Sequence, residues 1–193
     1  MRILFFDTET TGIPLWHDPS DDPRQPHVVE LACELWDGDN QADCFHAVID
    51  PGVPIPPEVA AIHGITDEIA QANGVAPHVG LDAFMRLIAD ADLVVGHNVS
   101  FDVRLMRIMA ARHRGVKWDN PLPTFCTMRK STNICQILSE RPRHARDWKW
   151  PKLGEAYRHF FGEELSGAHS AAVDCAGSRR VYFHLQTLMA AAA

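Results

Sequence analysis

Four apolar residues, Ile3-Leu4-Phe5-Phe6, run directly into Asp7-Thr8-Glu9 and then Thr10-Thr11-Gly12. An unbroken apolar, β-prone run suits a strand buried on both faces. Side chains alternate along a strand, so Asp7 and Glu9 project to the same side at its polar end. Two carboxylates beside a core are costly unless cations or hydrogen-bond donors meet them. The strand therefore either ends in an ordinary solvated turn or builds a site. In the second case Thr10, Thr11 and Gly12 offer backbone N–H groups and hydroxyls to a phosphate or sugar.

The remaining pattern predicts an α/β fold. Val28 to Trp36 and Asp43 to Ile49 read as two further strands, with Gly38-Asp39-Asn40 as the hairpin turn between them. Three early strands in succession suggest an antiparallel meander. Pro56-Pro57-Glu58 opens one short helix and Thr66-Asp67-Glu68 caps another. Leu81 to Ala91 carries a helical apolar stripe. Leu93 to Gly96 is a short buried strand leading into a helix from about Ser100 to Arg114, and Phe125 to Met128 reads as a fifth strand. Lys152 to Phe161 and about Ser170 to Met189 read as helices. Strands first, then strands alternating with helices, predict a mixed sheet covered by helices. At 193 residues the chain has the length of a single domain, 1–193, with 190–193 as a frayed tail.

Two more segments place acids at element ends. In Gly96-His97-Asn98-Val99-Ser100-Phe101-Asp102 a buried strand turns into a helix, the usual address of a site in an open α/β sheet. Asp102 falls in the first helical turn, where an acid is also an ordinary helix-start residue. In His169-Ser170-Ala171-Ala172-Val173-Asp174, five residues on one helix would separate His169 and Asp174 by roughly 140°. They converge more easily with His169 on the preceding loop and Ser170 as a cap. Together, Asp7, Glu9, Asp102 and Asp174 suit a hard oxygen site for two Mg²⁺ or Mn²⁺ ions. Such a pair stabilises the attacking and leaving oxygens in phosphodiester cleavage. A histidine beside it is suited to take a proton from water near neutral pH.

These residues resemble the DEDDh 3′-5′ exonucleases of the ribonuclease H-like superfamily, with the proofreading epsilon type of bacterial DNA polymerase III nearest. The match lies in F-F-D-T-E-T-T-G at 5–12, H-N-V-S-F-D at 97–102 and H-S-A-A-V-D at 169–174, with I-H-G-I-T at 62–66. The resemblance implies a five-stranded sheet, a three-strand meander plus two parallel strands, with helices on both faces. It implies that Asp7 bridges both metals, Glu9 and Asp174 hold the ion that activates water, and Asp102 helps hold the second. His169 would be the general base. Thr10, Thr11, Gly12 and His63 would lie beside the terminal nucleotide, with His97, Asn98 and Phe101 on the other side. The implied substrate is the 3′ end of DNA, with RNA trimming as the alternative, since such motifs build a phosphate site without reading the 2′-OH. A DNA polymerase partner is also implied. A non-catalytic module is the rival class, but all four acids and the histidine are present.

Composition limits the other classes. No apolar run approaches a membrane span, and Asp7 and Glu9 cut the first one too short for a signal peptide, so a cytoplasmic protein is expected. The five cysteines, scattered and without C-x-x-C, fit reduced thiols rather than a disulfide framework or a thiolate zinc site. The net charge of −7 runs against nucleic-acid binding, although acids that hold cations are neutralised in use. Arg141 to Lys152 gathers five Lys/Arg with Trp148 and Trp150. That mixture suits single-stranded nucleic acid, and equally a solvated loop whose tryptophans pack on the core. The Pro-rich loop 14–26 is either a lid or an insertion. Oligomeric state is not legible.

Overall fold

The computed structural model describes residues 1–191; positions 192 and 193 of the expected tail lie outside the described residues, whereas Ala190 and Ala191 continue the last helix. Five strands form one sheet: β1 (Arg2–Thr10), β2 (Val28–Asp37), β3 (Asn40–Val48), β4 (Leu93–Gly96) and β5 (Thr124–Cys126), in the order β3-β2-β1-β4-β5. β1, β2 and β3 pair antiparallel, while β4 and β5 run parallel to β1. The expected meander plus two parallel strands is the observed sheet. The first turn is tighter than predicted: Gly38-Asp39 alone links β2 to β3, with Gly38 at φ +59.

Alternation along β1 explains the layering. Leu4 and Phe6 face one core with α3 (Pro77–Ala89) and α4 (Val99–Arg114). Ile3 and Phe5 face the other, against α7 (Ala171–Ala191), where Phe5 meets Tyr182 at 5.4 Å. Leu4, Phe5 and Phe6 are fully buried. The next residue on the α7 side is Asp7, so burial of the aromatic pair dictates where the carboxylate points. α7 is also held to β2 by Arg179, whose Nε donates to Glu34 at 2.6 Å and whose guanidinium stacks on Trp36 at 4.3 Å.

α1 (Pro57–His63) opens on proline and α2 (Asp67–Asn73) is capped by the Thr66 hydroxyl, as read from sequence. α3 begins four residues earlier than expected, since Pro77 takes its first position. The predicted strand 125–128 is a correction: β5 stops at Cys126, and Thr127 starts a helix the sequence reading missed, α5 (Thr127–Cys135). Only Thr127, Met128, Ser131 and Cys135 of that helix are buried, too few apolar residues to make a stripe. α6 (Leu153–Phe161) follows the basic segment.

Loop 14–26 is pinned. Gln25, 1% exposed, accepts from Leu15 N–H at 3.0 Å and donates to the Leu15 and Pro19 carbonyls. From α4, Arg104 donates to Ser20 and to the Asp18 carbonyl, and Arg112 to the carbonyls of Gln25 and Pro26. The loop is thus fastened at both ends, to itself and to α4. Among the described residues no helix is long and apolar enough to cross a membrane.

Candidate active site

The carboxylates from three distant segments meet at the C-terminal end of β1. Asp7 and Glu9 leave the strand on the α7 side, opposite Ala32 and Glu30 of β2. Asp102 arrives from the first turn of α4, 3% exposed, and its Oδ1 accepts from the Thr8 hydroxyl at 2.7 Å and from Thr8 N–H at 3.1 Å. Asp174 is the fourth residue of α7. His169 lies before that helix, as the spacing favoured, with its N–H donating to Asp174 Oδ2 at 3.3 Å. Ligand atoms of Glu9, His169 and Asp174 lie within 4.8 Å of one another.

Crowded burial leaves these acids reluctant to ionise. Burial pushes Asp7 well above the carboxylate range, reinforced by the charges of Asp102, Asp174, Glu9 and Glu30. Asp7 nevertheless keeps one face open to a cavity. Glu9 is pushed up to about 8, first by burial and then by Asp174, Glu30 and Asp102. Asp102 rises to about 7 through burial, against the opposing pull of Thr8's hydrogen bonds. Burial raises Asp174 too, and its Oδ1 is buried without a hydrogen-bond partner. No lysine or arginine is among the principal groups acting on these four.

The histidine is held differently. His169 is exposed and its backbone is left-handed, at φ +69, a strained conformation for a non-glycine residue. What fixes it is a residue the sequence reading missed. Glu30, 5% exposed near the start of β2, accepts from Ala171 N–H at 2.9 Å and from the Ser170 hydroxyl at 3.3 Å. Ser170 therefore bonds the sheet instead of capping its own helix, and Glu30 caps it. His46 Nε2 meets the same carboxylate at 2.7 Å. An acid interrupting the apolar run Val28-Val29-Glu30-Leu31 was the available signal, the same one that marks Asp7.

The other predicted contacts divide. Thr10 Oγ1 donates to the Gly12 carbonyl and accepts its N–H, while Thr11 N–H donates to His27 and Thr11 Oγ1 accepts from His27 N–H at 2.9 Å. The turn thus consumes the N–H groups that the sequence offered to phosphate, and the Thr11 hydroxyl proton remains to donate. His63 ends α1 beside the Thr10 backbone and within charge reach of His169; burial lowers its pKa. Its Nδ1 accepts from Ile65 N–H at 3.1 Å. Asn98 caps α4 in the left-handed region, and Phe101 packs its half-buried ring against the core. His97 lines the cavity, but both ring nitrogens are engaged, with Thr127 Oγ1 and the Pro151 carbonyl, each at 2.9 Å. Burial holds its pKa down at about 4. That cavity, about 420 Å³, is lined by Asp7, His169 and Asp174 and also by His97, Lys152 and Gly154.

Comparison with known proteins identifies the family and the fold. A family model described as "Exonuclease" matches residues 4–182. The PolC-type DNA polymerase III of Pediococcus pentosaceus is 31% identical over 127 residues, 66% of this chain but only 8% of that protein. The DNA polymerase III epsilon subunit of Aquifex aeolicus is 24% identical over 182 residues, covering 94% of this chain and 79% of that one. Exonuclease I of E. coli, solved in complex with a dA16 oligonucleotide, shares the fold with a TM-score of 0.70 at 20% identity, over 96% of this chain and 41% of the other.

Proposed function

Because the chain belongs to the exonuclease family, we propose that it is a 3′-to-5′ exonuclease, acting as a single domain and releasing nucleoside monophosphates from the 3′ end of DNA. Asp7, Glu9, Asp102 and Asp174 hold two divalent cations, Mg²⁺ or Mn²⁺, in this reading. The observation that carries it is a crowd of acids with no counter-charge: burial and neighbouring carboxylates raise Asp7, Glu9 and Asp102, burial and Glu30 raise Asp174, and Asp174 Oδ1 is buried with no partner. An all-oxygen donor set of this kind fits hard cations. Bound there, the cations would place positive charge against the scissile phosphate and favour ionisation of a nearby water.

The chain's own residues supply the rest. His169, exposed at the cavity mouth beside Glu9 and Asp174, takes the proton from the attacking water. Glu30 keeps that imidazole in place by bonding the two residues that follow it. The Thr11 hydroxyl, His63, Asn98 and the exposed edge of Phe101 contact the terminal nucleotide, and Thr10 and Gly12 shape the turn that presents them. His97, with its nitrogens occupied, braces the cavity wall. Relatives named as DNA polymerases favour DNA, and association with a polymerase is part of the proposal.

Purified protein incubated with 5′-labelled single-stranded DNA, duplex DNA or RNA in Mg²⁺ or Mn²⁺ should give a ladder shortening from the 3′ end, fastest on DNA. EDTA should abolish it. A ladder that persists in EDTA, or that runs only on RNA, defeats the metal assignment or the substrate assignment respectively.

A further inference from the structure

Where Lys152 lines the cavity, the chain continues into a surface with no role so far. Trp150 is 61% exposed, two residues from Lys152, which lines the cavity beside Gly154. The Arg129 guanidinium lies over its ring at 5.9 Å. Both are tied to the site through His97, whose ring binds Thr127, two residues before Arg129, and Pro151, the residue after Trp150. A Cβ on Gly154 would meet nothing within 4 Å, so this surface leaves room for a close approach.

We propose that Trp150, Arg129 and Lys152 form a platform for single-stranded DNA upstream of the scissile bond, with a base stacked on Trp150 and a phosphate on Lys152. This rests on the exonuclease reading above. Charge and shape favour that occupant. Segment 141–152 carries five basic residues against one acid, Asp147, in a chain of net charge −7. Arg143 is taken by Asp147 and Lys149 by Glu155. Among the described residues, Arg129, Arg141, Arg146 and Lys152 form no ion pair, so their charge is available to phosphates. An exposed tryptophan beside cations is the arrangement by which proteins hold single strands without reading sequence. Trp148 differs: it is half-buried, and its backbone bridges to Leu138.

The test compares a long ligand with a short one. Binding of a fluorescent dT10 is measured with Ca²⁺ in place of Mg²⁺, and turnover is measured on dT10 and on the p-nitrophenyl ester of thymidine 5′-monophosphate, which is too short to reach Trp150. Trp150→Ala should weaken dT10 binding about 5-fold or more and raise KM for dT10, with kcat and ester hydrolysis unchanged. Trp150→Phe should retain most of the affinity. Lys152→Gln should reduce the slope of log Kd against log salt by about 0.7, the loss of one single-strand phosphate contact. Unchanged dT10 binding in Trp150→Ala, or an equal loss on dT10 and the ester, overturns the platform. If the wild type hydrolyses neither substrate, the exonuclease reading fails, while the binding measurement still judges the platform.

Discussion

Asp7 and Asp102 form the floor of the site: packed into the sheet and the first turn of α4, with Asp102 fixed by two hydrogen bonds from Thr8. His169 forms its rim, exposed on a strained loop just before the helix that carries Asp174. The floor is rigid because the fold's central strand builds it, and its cost is like charge held out of water. The rim's cost is backbone strain, met by a single buried acid, Glu30. The difference teaches that two tasks are separated in the structure: holding positive charge needs an immobile floor, whereas moving a proton needs an exposed imidazole in a fixed pose.

The most severe way to test that division is Asp7→Asn. It should remove about three decades or more of activity, since loss of several kcal/mol of charge stabilisation is expected. In metal-free buffer the same change should raise the thermal midpoint, because a buried unmet acid disappears. A lowered midpoint would mean that Asp7 is satisfied within the protein. His169→Ala should cost roughly two to four decades in rate while calorimetric Mn²⁺ affinity stays near the wild-type value. A collapse of that affinity would make the histidine a metal ligand alongside Glu9 and Asp174.

Glu30→Ala addresses the joint between the two. It strands the Ala171 N–H and should lower stability by about 1–3 kcal/mol in urea unfolding, with a fall in rate of about tenfold. Glu30→Gln, which keeps an acceptor, should recover most of both. Lost stability with an intact rate would deny Glu30 any hold on His169. The mildest probe is pH. Glu9 and Asp102 are raised to about 8 and 7, so the metal-free fold binds protons more tightly than the unfolded chain. The stability they contribute is fully present below about pH 4 and is lost as pH rises through 7 and 8. Thermal midpoints taken from pH 5 to 9 should fall without metal and flatten with saturating Mg²⁺. Parallel curves would show that no cation meets these acids.

Much of the floor was legible in the sequence because each acid directly follows an apolar run or opens a helix, and local patterning reports such places. The sheet was legible for the same reason. Glu30 breaks an apolar run in the same way, but its task was not legible, since its partners lie 140 and 141 residues away. His97 was read as a substrate contact, yet its nitrogens find Thr127 and Pro151, 30 and 54 residues on. α5 escaped because its buried face includes Thr127 and Ser131, whose polar identity hides the helical period. The pinning of loop 14–26 depends on arginines from α4, and no reading of its prolines reveals them.

α7 runs unbroken from Ala171 to Ala191 with Asp174 in its first turn. At 1.5 Å per residue, Ala191 stands about 25 Å from that carboxylate along a stiff rod. A probe placed on Ala191 is thereby held at that distance from the reaction.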